Sequence, residues 1–379
     1  MNGLQRLPLR SLVVDGGRTS FRSMKDRVWN LNLDQIESDS GRVLSKHIVP
    51  VEKLGSSTFP FEAGTVLYSK LRPYLNKVVV ADDAGVATTE LVPLRCAPEK
   101  LLPQYLAYFL RSTEFVHFAT TVVAGAKMPR MVMGEFWDYK IPVPSLAEQR
   151  RIAAILDQAD TLRAKRREAL TQLDRLTQAI FIEMFGSPTD NPKGFPKKLL
   201  GDLIKFEGGS QPPASTFSSE ESPDRIRLVQ IRDFKTDRFK TFIPKSLCKR
   251  FFEEDDVMIG RYGPPVFQIL RGLSGSYNVA LMKAVPREGV TKDFIFHLLQ
   301  EQQLHHYVVS NSERTAGQSG VNLNLLENYQ VYQPPHSLQL EFSGRIRQLE
   351  NLKKCAVQSS NVLSELFASL QHRAFRGEL

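Results

Sequence analysis

Two aspartates and a lysine are the first residues whose spacing could do chemistry. Asp224 precedes the strand-like RLVQI (227–231), and Asp233 and Lys235 follow it in RDFK. Two carboxylates could hold a Mg²⁺ ion while the lysine steers an attacking water, as in a metal-dependent nuclease. The pattern is short, and nothing like it stands in the first half of the chain. It therefore stays as an alternative, with Asp224, Asp233 and Lys235 as its candidates. Other catalytic signatures are missing. There is no G-x-x-x-x-G-K-[ST] loop, no strand-linked G-x-G-x-x-G and no H-E-x-x-H, so nucleotide and zinc-hydrolase chemistry lack support. NPKGFP (191–196) lacks the second proline of the N-P-P-aromatic site of adenine methyltransferases, and no glycine-rich cofactor loop accompanies it. The cysteines, Cys96, Cys248 and Cys355, are scattered, and no C-x-x-C occurs. Neither a metal site nor a disulfide framework is expected, and a reducing, cytoplasmic setting fits. No catalytic residue is assigned beyond the nuclease alternative.

Cations and amides are the more widespread chemistry. Lys and Arg number 50 against 41 Asp and Glu, a formal charge of +9. That excess suits a polyanion, because each neutralised phosphate releases counterions. Forked and amide side chains can read base edges, and cations can hold phosphates. In the first half the candidates are Lys70 and Arg72 in SKLRPYLNK, and Lys127 and Arg130 in the loop AKMPR. In the second half they are Gln211 in a Gly-rich loop, and Arg261 and Tyr262 just after DVMIG. Gln318 and Asn322 in AGQSGVNL occupy the place of Lys127 and Arg130. Gln230, Arg232 and Lys235 read as alternating along a strand and its exit, which would put them on one face. The plainer alternative for each is a solvated surface group. Trp29 and Trp137 read as packing residues.

These side chains need a frame, and the frame is written twice. IPVPSLAEQRRI (141–152) and VYQPPHSLQLEF (331–342) both open with prolines and lead into long apolar-seamed helices. Gln149 pairs with Gln339, Ile152 with Phe342, and Leu176 with Leu366, all 190 residues apart. The first helix is expected from about 147 to 185, roughly 58 Å at ~1.5 Å per residue. The second is expected from about 338 to 374. Heptad spacing assigns helix pairing to Ile152, Ile155, Ala159, Leu162, Leu173 and Leu176. Phe342, Leu349, Leu363 and Leu370 are their counterparts on the second helix. Before each helix lies a part with short β-rich runs and one amphipathic helix. TVLYS (65–69), KVVVA (77–81), ELVPLR (90–95) and a helix over 103–119 make the first. RLVQI, DVMIG, YNVALMKAVP (277–286) and a helix over 294–309 make the second. No stretch approaches the ~20 apolar residues that span a bilayer.

The long segment IPVPSLAEQRRIAAILDQADTLRAKRREALTQLDRLTQAIFIEMFG resembles the central spacer of specificity subunits of type I restriction–modification systems. The closing ELFASLQHRAFRGEL resembles their C-terminal spacer, and GTVLYSKLRPYLNKVVVADDAGVATTELVPL is similar to a stretch of their target recognition domains. GDLIKFEGGSQPP, IRLVQIRDFK and FEEDDVMIGRYG look like a second such domain, so the resemblance covers nearly the whole chain. QLEFSGRI departs from the first spacer's EQRRIAAI.

The resemblance implies an α+β chain with a pseudo-two-fold internal repeat. Two mixed α/β target recognition domains (1–140 and 187–333) would be separated by two long antiparallel helices forming an intramolecular coiled coil. The proline-led central spacer would be 141–186 and the C-terminal spacer 334–379. Such a subunit is not itself an enzyme. It would read a bipartite, asymmetric double-stranded DNA site, one half per domain, and dock two methyltransferase subunits, with restriction subunits able to join. It would carry no cofactor of its own: S-adenosylmethionine, ATP and Mg²⁺ would belong to the partners, and no membrane is implied. A coiled-coil scaffold that never touches DNA is the remaining alternative, and it would show no salt-dependent DNA affinity.

Overall fold

The computed structural model describes residues 4–14, 26–187, 191–263, 265–315 and 318–379. The chain divides into two compact units. The first comprises residues 1–169 and 356–379, the second 170–355.

In the first unit, one antiparallel sheet has the strand order Val13–Val14, Leu91–Cys96, Val66–Ser69, Val78–Val80. Its strands are apolar on both faces because both faces are covered. Val66, Tyr68 and Val78 join the core formed with α1 (Pro103–Leu110) and α2 (Thr113–Thr121), whereas Leu67 and Val79 point into a second core around Trp29 and Phe61. That second core belongs to a sheet of order Ile48–Pro50, Arg27–Leu31, Gly85–Thr88, Thr58–Phe61. Its central pair, Arg27–Leu31 with Gly85–Thr88, is parallel. Two ribbons complete the unit: Arg6–Pro8 with Lys140–Pro142, and Val123–Ala124 with Arg130–Met131. The short α3 (Met133–Asp138) follows the second ribbon.

The second unit has the same strand order. One sheet runs Ile204–Gly208, Leu281–Pro286, Val257–Gly260, Gln268–Leu270, and the other Phe242–Pro244, Arg225–Val229, Gly275–Tyr277, Phe251–Phe252. Again one pair, Arg225–Val229 with Gly275–Tyr277, is parallel. Gly85 and Gly275 open the matching strands, and a Cβ at either would lie 2.6 Å from a backbone oxygen, of Trp29 or Arg227. The ribbons recur as Lys197–Leu199 with Gln330–Tyr332 and Glu313–Thr315 with Gln318–Gly320.

One expected helix in each half is in fact two. Ser112 caps α2 by accepting the Phe115 N–H at 3.3 Å, so 103–119 breaks at Arg111–Ser112. After the short α5 (Leu200–Leu203), the second half breaks at Gln300–Glu301 between α6 (Lys292–Leu299) and α7 (Gln302–Ser310). Beyond α8 (Leu323–Glu327), both halves lead into a long helix: α4 (Leu146–Phe185) in the first and α9 (His336–Arg376) in the second.

Within each unit the start of one long helix packs antiparallel on the end of the other. In the first, Arg163 lies over Phe367 and Arg151 bonds the Leu379 carbonyl. In the second, Lys353 pairs with Asp174, and Phe342 packs on Phe181 and Phe185. Each long helix is locked at its start by a fully buried glutamine. Gln149 Oε1 accepts the Leu102 N–H at 2.9 Å, and its Nε2 donates to Lys100 O at 2.8 Å and Pro144 O at 2.9 Å. Gln339 repeats the triplet with Thr291 N–H, Gly289 O and Pro334 O at 2.9, 3.2 and 2.9 Å.

The buried face of α4 is not the strict heptad. Ile152, Ala153 and Leu156 are buried at its start, and Phe181, Met184 and Phe185 at its end. Leu162 is 54% exposed and Leu176 45%, so neither serves helix pairing here. A straight helix drifts ~20° per heptad from a 3.5-residue repeat, and each end buries itself against α1 or α6 as well as its partner helix. Ile155, Ala159, Leu173, Leu349, Leu363 and Leu370 are half-buried, and Phe342 is fully buried.

Candidate nucleic-acid interface

In the first unit the backbone brings two loops together. The Lys70 carbonyl accepts the Met131 N–H at 2.8 Å, the Arg72 N–H donates to Pro129 O at 2.7 Å, and Leu71 bridges Arg130. The segment 70–72 is thereby strapped to the hairpin that carries Lys127. Arg72 takes a left-handed φ of 50° before Pro73 starts a 3₁₀ turn, and its side chain and that of Lys127 are exposed. Arg130 is differently placed from a free surface cation. Its guanidinium grips Glu90 with two prongs, Nη2 to Oε1 at 2.8 Å and Nε to Oε2 at 3.1 Å. The Arg130 hydrogen bonds hold the Glu90 carboxyl below the usual range, with Lys70 adding to the effect. Lys70, Arg72 and Lys127 are thus the cations this pair of loops presents, with Arg130 acting as their internal brace. Tyr74, half exposed beside them, carries no signal in the sequence that sets it apart from a core tyrosine.

The second unit repeats the strap with other side chains. The Arg261 carbonyl accepts the Val321 N–H at 3.0 Å, and Tyr262 bridges Gly320. A Cβ on Gly320 would sit 3.0 Å from the Tyr262 ring, so the ring lies flush on that glycine. The Arg261 guanidinium is 5.2 Å from the same ring. Gln211 is exposed just beyond Gly209, where a Cβ would be 2.1 Å from the Asn278 carbonyl, so the loop can pass only as glycine. Asn322 is committed to the backbone, since its Oδ1 accepts the Leu325 N–H at 3.3 Å and caps α8. The Gln318 backbone lies in a strand, and its side chain falls outside the described residues.

Gln230, Arg232 and Lys235 do not alternate along a strand. The strand ends at Val229, and Ile231–Phe234 is a 3₁₀ turn. Asp233 makes that turn: its buried Oδ2 accepts the Gln230 N–H at 2.8 Å, and burial raises its pKa. Asp224 is exposed at the far end of the strand, bonded to Ser222, which lowers its pKa. Eight residues lie between the two carboxylates, and the five of strand Arg225–Val229 alone span roughly 16 Å at ~3.3 Å each, too far to share one ion. The nuclease alternative is not supported, and among the described residues no cluster of three His, Cys, Asp or Glu could hold a metal. NPKGFP is likewise a turn, closed by Asn191 Nδ2 to Phe195 O and Phe195 N to Asn191 Oδ1, both 2.8 Å.

The 3₁₀ turn does place cations around an aromatic that sequence reading missed. Phe239 is 51% exposed, with the Arg232 and Arg238 guanidinium groups 5.6 and 5.4 Å from its ring. The signal was present as interleaved basic and aromatic residues in RDFKTDRFK (232–240). Trp29 is a core residue, and Trp137 packs against the first unit's main core.

A family model described as the Type I restriction modification DNA specificity domain matches residues 39–172. The chain is 24% identical over 333 residues to the specificity subunit of the type I restriction enzyme EcoKI of Escherichia coli K12, covering 78% of this chain and 72% of that one. The StySPI specificity subunit of Salmonella potsdam is 23% identical over 335 residues, with the same coverage. Against the EcoDI specificity subunit of Escherichia coli the match is 26% over 156 residues, 40% of this chain and about a third (34%) of that one. Among solved structures, the S subunit of a type I restriction–modification system from M. genitalium shares the fold at a TM-score of 0.59, with 14% identity, over 99% of this chain and 97% of that one. A chain from a study of type I complex assembly and conformational transition gives a TM-score of 0.58 at 20% identity, covering 100% of this chain and 99% of that one. Sequence and fold therefore define a protein that carries a type I DNA specificity domain. Along most of its length it is similar in sequence to specificity subunits of type I restriction enzymes.

Proposed function

We propose that each unit is a target recognition domain that reads one half of a bipartite double-stranded DNA site. The observation that carries this reading is the repeated strap: in both units a polar or cationic segment after a central strand is bonded by backbone to a second loop. Lys70, Arg72 and Lys127 would serve one half-site, and Gln211, Arg261 and Tyr262 the other. Phosphates would fix register and base edges would give specificity. In this reading α4 and α9 form the coiled-coil spacer that sets the distance between half-sites. A helix of ~58 Å spans on the order of 17 base pairs at 3.4 Å each. The chain would contribute no catalysis. Two methyltransferase subunits, bringing S-adenosylmethionine, would dock on it, and restriction subunits with ATP and Mg²⁺ could join. Such a complex would work in the cytoplasm; among the described residues no helix is long and apolar enough to cross a membrane.

The test is selection from a random duplex library with the chain in complex with its methyltransferase partner. Two short enriched blocks separated by a fixed stretch of free sequence are expected. A single contiguous motif, or no enrichment, would defeat the proposal.

A further inference from the structure

In the second unit a cavity of about 370 Å³ opens between the end of α6, residues 173–181 of α4 and residues 346–353 of α9. That is within the roughly 300–1,000 Å³ of small-ligand pockets. Phe181, Phe296 and Ile346 form its apolar wall, and Asp174, Glu301 and Glu350 its acidic one. Lys353 pairs with Asp174, and Glu350 lies 3.8 Å from Arg271, which is itself committed to Asp293 at 2.8 Å. Among the described residues no hydrogen bond or ion pair holds the Glu301 carboxylate. The His297 Nε2 is buried at the wall without a partner.

The first unit shows what fills this place. By the 189- and 190-residue offsets, Tyr108 stands for His297, Arg111 for Gln300, Phe367 for Thr177, Asp160 for Glu350 and Arg163 for Lys353. There the Arg163 guanidinium lies 4.3 Å from the Phe367 ring and bonds Asp160 at 3.0 Å. Arg111 lies 4.6 Å over Tyr108 and 4.0 Å from the same aspartate. In the second unit the two arginines and the phenylalanine are replaced by Lys353, Gln300 and Thr177. Among the described residues no side chain fills the space, yet the acid is retained as Glu350, and Glu301 and Asp174 replace Ser112 and Ser364.

We propose that this cavity receives an arginine side chain of a partner protein, its guanidinium held by Glu301 and Glu350. The counterpart guanidinium groups are protein side chains, and the cavity keeps the acids that such a group requires. A planar, weakly hydrated fork suits a half-apolar, half-acidic wall better than an ammonium does. The site does not depend on DNA reading, so failure of either leaves the other standing.

The test titrates the full chain with N-acetyl-arginine methylamide and with its lysine analogue, read by calorimetry. Arginine is expected to bind about tenfold tighter, ~1.4 kcal/mol. Thr177→Phe with Lys353→Arg, which rebuilds the first unit's stack, should abolish the binding. Glu301→Gln, which preserves shape, should remove most of it and decides the matter should the double variant not fold. Equal binding of the two probes, or binding unchanged in Glu301→Gln, would overturn the assignment.

Discussion

Replacing Gln149 with leucine should strip three backbone groups of their partners at once. The side chain is completely buried, and it satisfies the Leu102 N–H and the carbonyls of Lys100 and Pro144. Leucine nearly matches its shape but can do none of this. An abandoned buried polar group costs ~1–3 kcal/mol, so three cost roughly 3–9. The added apolar contact offsets about 1 kcal/mol. A loss of roughly 2–8 kcal/mol is expected, a large part of the ~5–15 kcal/mol that holds a typical domain together. Gln339→Leu should cost the same within about 1 kcal/mol, because its three bonds are the same and additive logic applies to separate sites. Hydrogen exchange read by mass spectrometry on the full chain localises each effect, since protection reports local opening. Gln149→Leu should lose protection around 100–105 and 144–152, Gln339→Leu around 289–295 and 334–342. Gln158→Leu, at an exposed position of α4, is the control. A loss below about 1 kcal/mol at either glutamine, or a loss appearing in the other unit, would refute the argument.

Leu156→Ala removes a fully buried side chain of α4 and should cost ~2–5 kcal/mol, whereas Leu162→Ala, at a 54% exposed position, should stay within ~0.5 kcal/mol; thermal melts of the pair check it. Burial, with Arg271 adding and Asp293 opposing, pushes His297 from 6.5 down to about 4. Below pH 6.5 the unfolded chain therefore binds the proton that the folded chain refuses, and the second unit should lose roughly 3 kcal/mol as pH falls to about 4. Denaturant titrations across that window should show a slope that His297→Phe removes, and an unchanged slope would exclude the histidine as its source. Arg72→Ala and Lys127→Ala should each flatten the dependence of log K on log salt by about one, in binding assays on random duplex.

The repeat was legible because it was written in types that cannot be exchanged freely. Proline pairs, a glutamine and an apolar seam recur at one offset, and each meets a backbone demand that only a few residues satisfy. The seam itself was misread at Leu162 and Leu176, because periodicity alone cannot say whether a helix faces one partner helix or two packed elements at once. The break at Ser112 was hidden by apolar residues that continue in phase across it. Site residues were harder. Arg130 and Asn322 have the chemistry of contact residues, yet Glu90 and the α8 N-terminus claim them. Those partners lie 40 residues away in one case and three in the other. Asp233 looked like a metal ligand because sequence shows a carboxylate and not the N–H it accepts. Phe239 was missed because an exposed aromatic and a core aromatic look alike until the fold is known.

A frame that can carry different readers must fix its loops by means that ignore side-chain identity. Both straps do so. Lys70 and Arg261 stand at matching positions, and each is tied through its own carbonyl to the N–H of the second loop, at 2.8 and 3.0 Å. Such bonds survive any substitution except proline at the donor. What varies is above them: Arg130 braced by Glu90 in one unit, Gly320 under the Tyr262 ring in the other. The locks beneath are held constant for the opposite reason, since among side chains only an amide both accepts and donates twice, and asparagine is one methylene shorter. Divergence is therefore cheap at the loop surface and expensive at the helix start. A change at Arg72 or Gln211 should alter what is bound, and a change at Gln149 or Gln339 should alter whether the unit stands at all.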